Sequence, residues 1–278
     1  MRVVTLSCGT TIPAIGQGTW HMGESGGDHA AEVDALRLGL DLGMQVIDTA
    51  EMYADGGSEQ VVGRAIAGRR DEVFLVSKLY PQNASRTGTR AACERSLSRL
   101  GTDRLDLYLL HWRGAVPLAE TVAAFGELQA EGKILRWGVS NLDVDDMEEL
   151  LALPGGDGCA SNQILYNPGY RGVEFDLLPW CAARHMAVMA YSPVGQGGRL
   201  LTHAALRDVA HSHGATPAQV ALAWALRHPH VVAIPKATQR EHVRQNAAAA
   251  AITLTAGDLA ALDSAFPPPQ KRRALDML

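Results

Sequence analysis

Lysines, cysteines and long apolar segments are all scarce in this chain of 278 residues. The formal net charge is −5, so there is no basic excess to displace counterions from nucleic acid or to bind an anionic membrane. The sequence has no run of about 18 apolar residues, the length that a membrane-spanning helix requires. The apolar stretch before Gly9 and Pro13 is too short for a signal peptide. We therefore expect a cytoplasmic globular protein, most simply a monomer, that binds neither nucleic acid nor membrane.

Cysteines and histidines are too dispersed to predict a disulfide framework or a metal site. The cysteines are Cys8, Cys93, Cys159 and Cys181. They form no CxxC motif, and in a chain of this length they are expected to be small core residues. The ten histidines form no HExxH motif. His211 and His213 stand two apart in an expected helix, where they would not share a face.

Eight short apolar runs recur along the chain, with amphipathic stretches between them. The runs are 13–20, 44–50, 72–78, 105–112, 134–141, 159–166, 186–193 and 231–237. Continuous apolar character over so few residues favours strands buried on both faces, as in a parallel sheet. Eight such strands alternating with helices predict an α/β fold, a single (β/α)8 TIM barrel.

The stretches between the runs carry signals for helix ends. Ser58 precedes the segment EQVVGRAIAG, and Gly101 follows RAACERSLSRL. Thr216 and Pro217 together predict the start of another helix. The alanine run 247–251 is predicted to continue a helix that begins near Gln239, because alanine has the highest helix propensity.

The chain shows no linker that would divide it into domains. We expect one domain over residues 1–278, with a short N-terminal hairpin at 1–12. The run of prolines at 267–269 ends the last expected helix and starts a C-terminal tail over 267–278. The carboxyl ends of all the strands in such a barrel open on one face, where loops assemble the active site.

Polar residues are concentrated near the ends of the apolar runs. They are Asp48, Lys78, His111, Ser140, Asn141, Tyr191, Ser192 and Lys236, with Asn162 and Gln163 inside the sixth run. Only four of the 25 basic residues are lysines, yet Lys78 and Lys236 both close a run. Lysine presents a compact point charge that arginine cannot imitate. The pattern favours a functional role for both lysines.

Asp48, Tyr53, Lys78 and His111 form a set suited to protonating an oxygen. A tyrosine has an ordinary pKa of about 10, and a neighbouring ammonium is expected to lower that pKa. At about 4 Å such a charge contributes roughly 4 kcal/mol. Asp48 would keep Lys78 charged, and His111 would orient the incoming oxygen. Protonation of an oxygen as negative charge builds there is what carbonyl reduction requires.

Seven motifs resemble the aldo-keto reductases in order and spacing. They are IDTAEMY, VFLVSK, LDLYLLHW, GKILRWGVSN, SNQILYN, AYSP and IPKATQREHVRQN. The likeness is strongest to bacterial members of the methylglyoxal-reductase type, through AEMYADGG, LDLYLLHW and ALDML. The resemblance implies a (β/α)8 barrel that reduces aldehydes or ketones, methylglyoxal-like or other small carbonyls, to alcohols. It also implies a nicotinamide cofactor that lies extended across the mouth of the barrel.

The resemblance also implies a role for individual residues. Tyr53 would be the general acid, supported by Lys78 and Asp48, and Tyr191 would stack on the nicotinamide ring. The expected cofactor contacts are Gly18, Thr19, Trp20, Asp48, Ser140, Asn141, Gln163, Tyr191, Ser192, Val194, Gln196, Lys236, Thr238, His242 and Asn246. The expected substrate contacts are Trp20, Tyr80, His111 and Trp112.

The phosphate-binding segment departs from the family pattern at two positions. Family members usually follow the lysine of IPK with Ser or Thr and place an arginine six residues after that lysine. Here these positions are Ala237 and His242, although Lys236 still offers a charge to a 2′-phosphate. Additional contacts from Thr238, Arg240 or Arg244 are expected to compensate. We expect NADPH as the cofactor because Lys236 can bind the 2′-phosphate. NADH is the alternative, because the missing bidentate guanidinium would be the stronger phosphate ligand.

Two other classes of function are compatible with this sequence. One is a binding subunit that senses NADP(H) on the same fold without significant catalysis. The other is an aldolase that forms a Schiff base through Lys78 or Lys236. The aldolase leaves the spacing of Asp48 and Tyr53 unexplained.

Overall fold

An antiparallel hairpin opens the part of the chain that the computed structural model describes, residues 2–278. Its strands are β1 (Val3–Thr5) and β2 (Thr11–Pro13), and Val3 pairs with Pro13. The predicted hairpin of residues 1–12 therefore extends to residue 13. Met1 lies outside the described residues.

Eight parallel strands form the central sheet. They are β3 (Gln17–Gly18), β4 (Val46–Asp48), β5 (Phe74–Leu79), β6 (Leu107–Leu110), β7 (Trp137–Ser140), β8 (Cys159–Leu165), β9 (Ala187–Tyr191) and β10 (Val231–Ala233). Each strand pairs in parallel with the next strand along the chain. Parallel bridges from Ile15 to Ala233 and from Gly18 to Lys236 also connect the first edge of the sheet to the last. Each strand lies within or overlaps one of the predicted apolar runs, so the expected parallel sheet is confirmed.

Ten α-helices accompany the sheet within residues 2–278. They are α1 (His29–Asp41), α2 (Gly57–Ile66), α3 (Arg86–Leu100), α4 (Leu118–Ala130), α5 (Val144–Leu151), α6 (Leu177–Ala183), α7 (Ala204–Ser212), α8 (Pro217–Ala225), α9 (Arg240–Ala248) and α10 (Ala256–Ala265). Side chains of β6 alternate between two apolar clusters, because successive residues of a strand point to opposite faces. Tyr108 lies in the cluster that contains Phe125 of α4, whereas Leu109 lies with Ile12 of the hairpin.

The predicted helix ends are confirmed at two positions and wrong at a third. Thr216 caps α8 in a capping box with Gln219, and Gly101 ends α3 at a φ of 63°. Helix α2 begins earlier than predicted, after Gly56. Ser58 is therefore no cap: it is buried in the first turn, and its hydroxyl contacts Thr19.

The alanine run is helical over only part of the predicted length. Helix α9 ends at Ala248, and residues Ala249–Ala251 form a 3-10 turn. The expectation that the cysteines are core residues is confirmed for three of them and wrong for Cys8, which is exposed. His213 bonds to Asp258 and thereby links the end of α7 to α10.

Within residues 2–278, no helix has the length and apolar character needed to cross a membrane. In the same residues, no three His, Cys, Asp or Glu side chains are grouped so that they could bind a metal ion.

Candidate active site

Lys78, Asp48 and Tyr53 meet at the carboxyl ends of β4 and β5. The Lys78 Nζ atom donates to Asp48 Oδ1 at 2.7 Å and to the carbonyl oxygen of Thr49 at 2.8 Å. The same nitrogen lies 3.3 Å from the Tyr53 hydroxyl. Asp48 ends β4 and Lys78 lies one residue before the end of β5, so the pairing of these parallel strands brings the side chains together. All three polar groups were predicted to act jointly.

The sequence interpretation was wrong about the direction of the Tyr53 pKa shift. Burial raises the pKa of Tyr53, and this effect exceeds the opposing effect of the Lys78 charge. Tyr53 is therefore a neutral phenol with a proton to donate. Burial alone would lower the pKa of Lys78, but Asp48 and Tyr53 outweigh it and raise that pKa. Lys78 therefore carries its charge at neutral pH, as expected.

His111 follows β6 and faces Tyr53 across a small pocket. The two rings meet edge to face with their centroids 5.8 Å apart. Burial and, to a lesser extent, the charge of Lys78 hold the pKa of His111 well below its usual value. The imidazole is therefore neutral. Its Nδ1 atom is buried and has no hydrogen-bond partner among residues 2–278.

A hydrogen-bonded chain of side chains continues from Asp48 along the ends of β7, β8 and β9. Gln163 Nε2 donates to Asp48 Oδ2 at 2.7 Å, and Ser140 Oγ donates to the main-chain carbonyl oxygen of Gln163 at 2.9 Å. The Tyr191 hydroxyl donates to Asn141 Oδ1 at 2.9 Å. Burial raises the pKa of Tyr191 to about 12, so this hydroxyl keeps its proton. The structure thus brings together the residues that the resemblance assigned to the nicotinamide end of a cofactor.

Two residues of this region have a left-handed backbone. Asn141 has a φ of 58° and Ser192 has a φ of 46°. Asparagine tolerates this conformation better than most residues, whereas serine is strained in it. The Ser192 carbonyl oxygen accepts a hydrogen bond from Asn167 Nδ2 at 2.8 Å, which helps to hold the loop in place. Residues in sparsely populated conformations are concentrated at functional sites.

A cleft of about 790 Å³ runs beside the catalytic candidates. Most predicted cofactor residues line it: Gly18, Thr19, Trp20, Asp48, Tyr191, Ser192, Val194, Gln196, Lys236, His242 and Asn246. The volume falls in the range of cofactor sites. The sequence reasoning missed nine further lining residues: His21, Pro193, Gly197, Leu201, Thr216, Pro217, Ala218, Ile234 and Gln245. Several belong to loops without periodicity, and the capping signal at Thr216 and Pro217 is the one feature that could have identified two of them.

One end of the cleft is suited to an anion. Lys236 and His242 line it beside the first turn of α9. The first N–H groups of a helix lack intrahelical partners and favour negative charge, and the N-cap residue Gln239 makes no side-chain hydrogen bond to them. Additional phosphate contacts were expected from Thr238, Arg240 or Arg244, but these residues do not line the cleft.

A second, smaller pocket of about 80 Å³ lies next to Tyr53. The predicted residues Trp20, His111, Trp112, Ser140, Asn141, Gln163 and Tyr191 line it. Tyr80 does not line it; its ring packs edge to face against Trp112, with centroids 5.8 Å apart. Asn162 also lies outside the pocket and donates to the carbonyl oxygen of Leu142. Three residues that line the pocket were not predicted: Met52, Met277 and Leu278.

Comparison with known proteins agrees with this geometry. Residues 14–266 match the model of the aldo/keto reductase family. Methylglyoxal reductase YeaE of Escherichia coli (strain K12) is 55% identical over 281 residues, which cover 100% of this chain and 99% of the relative. Crystal structures of an aldo-keto reductase from Klebsiella pneumoniae, one in complex with NADP and acetate and one with NADPH, are 54% identical. Each superposes with a TM-score of 0.97 over 100% of this chain and 99% of the other. The chain therefore belongs to the aldo/keto reductase family.

Proposed function

We propose that this protein is an NADPH-dependent reductase of small aldehydes and ketones, with Tyr53 as the general acid. The observation that carries the proposal is the position of Lys78 Nζ, which contacts both Asp48 and the Tyr53 hydroxyl. A charged ammonium at this position stabilises the phenolate that remains after Tyr53 gives up its proton. Asp48 keeps the ammonium charged in a buried environment.

In this mechanism the substrate oxygen lies in the small pocket and accepts a hydrogen bond from Tyr53. A nicotinamide bound in the large cleft supplies the hydride. As negative charge builds on the substrate oxygen, the phenol of Tyr53 transfers its proton to that oxygen. Lys78 stabilises the resulting phenolate, and solvent later restores the proton to Tyr53.

His111 orients the substrate oxygen as a neutral donor. A neutral imidazole carries one N–H group. Because the Nδ1 atom is buried without a partner among residues 2–278, the proton is best placed on Nε2, where it can be donated into the pocket. The low pKa of His111 prevents it from competing with Tyr53 as the acid.

The residues of the large cleft fit an extended dinucleotide. Tyr191 offers a ring face at the catalytic end, and Lys236 offers a positive charge near the start of α9. Asn246 is largely buried but also lines the cleft, where its amide is suited to hydrogen-bonding a ligand. The names of the relatives, which mention methylglyoxal reduction and bound NADP or NADPH, support the same substrate and cofactor for this chain.

We also infer that the sheet closes into a (β/α)8 barrel and that residues 1–278 form one domain. The hydrogen bonds from Gly16 to Ala233 and from Gly18 to Pro235 support closure. The monomeric state and the cytoplasmic location stay predictions.

Replacement of Tyr53 by phenylalanine tests the proposal. We expect NADPH oxidation with methylglyoxal to fall at least about 100-fold, the usual contribution of a general acid. The dissociation constant for NADPH, measured by fluorescence titration, should stay within about twofold, because the ring remains. Tyr170→Phe is the matched control, since Tyr170 lies outside both cavities. Retention of turnover in Tyr53→Phe would show that another group is the acid.

Measurements of turnover and of covalent trapping separate the alternative functions. A sensing subunit would bind NADPH without useful turnover of any small aldehyde. An aldolase would trap a carbonyl compound on lysine under borohydride without nicotinamide. The raised pKa of Lys78 disfavours the aldolase, because a Schiff base forms from the neutral amine.

A further inference from the structure

The C-terminal tail crosses the carboxyl ends of the strands and supplies part of the small pocket. The tail begins at the prolines of 267–269 and ends in Met277 and Leu278, which line the pocket with Tyr53 and His111. Leu275 packs against the main apolar cluster. The segment 267–278 forms no helix or strand that would hold it in position. Its placement therefore depends on its side-chain contacts.

Arg272 makes ion pairs with three carboxylates at the N-terminal ends of α5 and α6. Its Nη2 atom lies 2.9 Å from Asp145 Oδ2 and 3.5 Å from Asp143 Oδ2, and its Nε atom lies 3.1 Å from Asp176 Oδ2. No other residue of the tail has an ion pair within the described chain. Arg272 therefore supplies the ionic contacts of the tail, beside the apolar packing of Leu275.

Two of these carboxylates also cap helices. Asp143 Oδ1 accepts from the N–H of Asp146 at the start of α5, and Asp176 Oδ1 accepts from the N–H of Leu177 at the start of α6. The capping bonds fix both carboxylates, so Arg272 meets acceptors that are already positioned and loses less side-chain entropy on pairing. Because α5 follows β7 and α6 follows β8, the tail is fastened beyond the carboxyl ends of two strands that contribute Ser140 and Gln163 to the substrate pocket.

We propose that Arg272 is a positioning residue that holds Met277 and Leu278 against the substrate pocket and so restricts the pocket to small carbonyl compounds. The proposal rests on the reductase function proposed above. When the tail is released, a small carbonyl loses apolar contacts with Met277 and Leu278, whereas a bulky carbonyl gains space. The groups around Lys78 are not touched by the tail's ion pairs, so the chemical step is preserved.

The test compares Arg272→Met with the wild type and with Lys271→Met. Methionine keeps an apolar stem without the charge, and Lys271 is an exposed neighbour that forms no ion pair in the described chain. Steady-state kinetics are measured with methylglyoxal and with 4-nitrobenzaldehyde. We expect Arg272→Met to raise KM for methylglyoxal about fivefold, the effect of losing a half-exposed ion-pair network. Its kcat with methylglyoxal should stay within about twofold, whereas its KM for 4-nitrobenzaldehyde should fall, because the bulkier ring gains space.

Hydrogen–deuterium exchange of the tail gives a readout that needs no turnover. The amides of 273–278 should exchange faster in Arg272→Met and at the wild-type rate in Lys271→Met. Arg272→Lys should restore part of the protection, since an ammonium can pair with one of the carboxylates.

Each result decides the proposal. Unchanged exchange in Arg272→Met overturns the claim that this residue holds the tail. Faster exchange with an unchanged ratio of the two KM values overturns the claim that the tail restricts the pocket. If the wild type reduces no carbonyl compound, the proposed function fails, and the exchange data still show whether Arg272 fastens the tail.

Discussion

The Nζ atom of Lys78 lies 2.7 Å from Oδ1 of Asp48, and both side chains are almost completely buried, at 0% and 3% exposure. Each of these two buried charges is stabilised by the opposite charge beside it, because neither is solvated by water. Removal of one partner leaves an uncompensated charge in the interior, which is strongly destabilising.

We predict that Lys78→Met lowers the free energy of unfolding by about 3 kcal/mol, because Asp48 is left as a buried carboxylate with Gln163 as its remaining donor. Urea denaturation followed by circular dichroism measures this change. Lys133→Met is the control, since Lys133 pairs with Glu94 near the surface and should lose less than about 1 kcal/mol. Equal losses in the two variants would contradict the view that the Lys78 pair is energetically distinct.

The half-buried His228, in the loop after α8, predicts a pH dependence of stability. Burial, assisted by the nearby charge of Arg227, lowers the pKa of His228 to about 4. In the unfolded chain an imidazole titrates near its ordinary pKa of about 6.5. The unfolded state therefore binds more protons between these two values, and the contribution of His228 to stability is lost as the pH falls from about 6.5 towards 4.

Thermal or urea unfolding between pH 7 and pH 5 tests this prediction. We expect His228→Gln to reduce the slope of stability against pH by up to about 1 kcal/mol per pH unit, given that His228 is partly exposed. The exposed His211 provides the control variant His211→Gln, whose slope should equal that of the wild type. His111 has a depressed pKa as well, so part of the slope should persist in His228→Gln. An unaltered slope in His228→Gln would rule out a contribution from this group.

The sequence predicted the parts of the site that are determined by strand order. Parallel strands buried on both faces have continuous apolar runs, so all eight could be located. Once their order is known, Asp48 at the end of β4 and Lys78 near the end of β5 must be neighbours. The resemblance then placed Tyr191 and Gln163 at the same face, where the structure has them.

Other features depend on contacts between distant segments and leave no local signal. Met277 and Leu278 line the pocket, and Arg272 of the same tail pairs with carboxylates more than 90 positions earlier in the chain. The sequence near Arg272 reveals neither contact. The pKa of Tyr53 was predicted in the wrong direction because its burial arises from tertiary packing. The start of α2 was misplaced because Gly56 adopts a φ of 89°, which composition alone does not indicate.

Lys236 is expected to determine how strongly the protein prefers NADPH to NADH. Lys236 lines the cleft near the start of α9, whereas the nearby Arg240 and Arg244 do not. Lys236→Met should weaken NADPH binding about tenfold, because a charge-assisted hydrogen bond to the 2′-phosphate is lost. NADH lacks that phosphate, so its affinity should change less than about twofold. Fluorescence titration with both nucleotides measures the two constants, and Lys271→Met, which lies outside this cleft, serves as the control. An equal loss of affinity for both nucleotides would show that Lys236 acts on a part of the cofactor that they share.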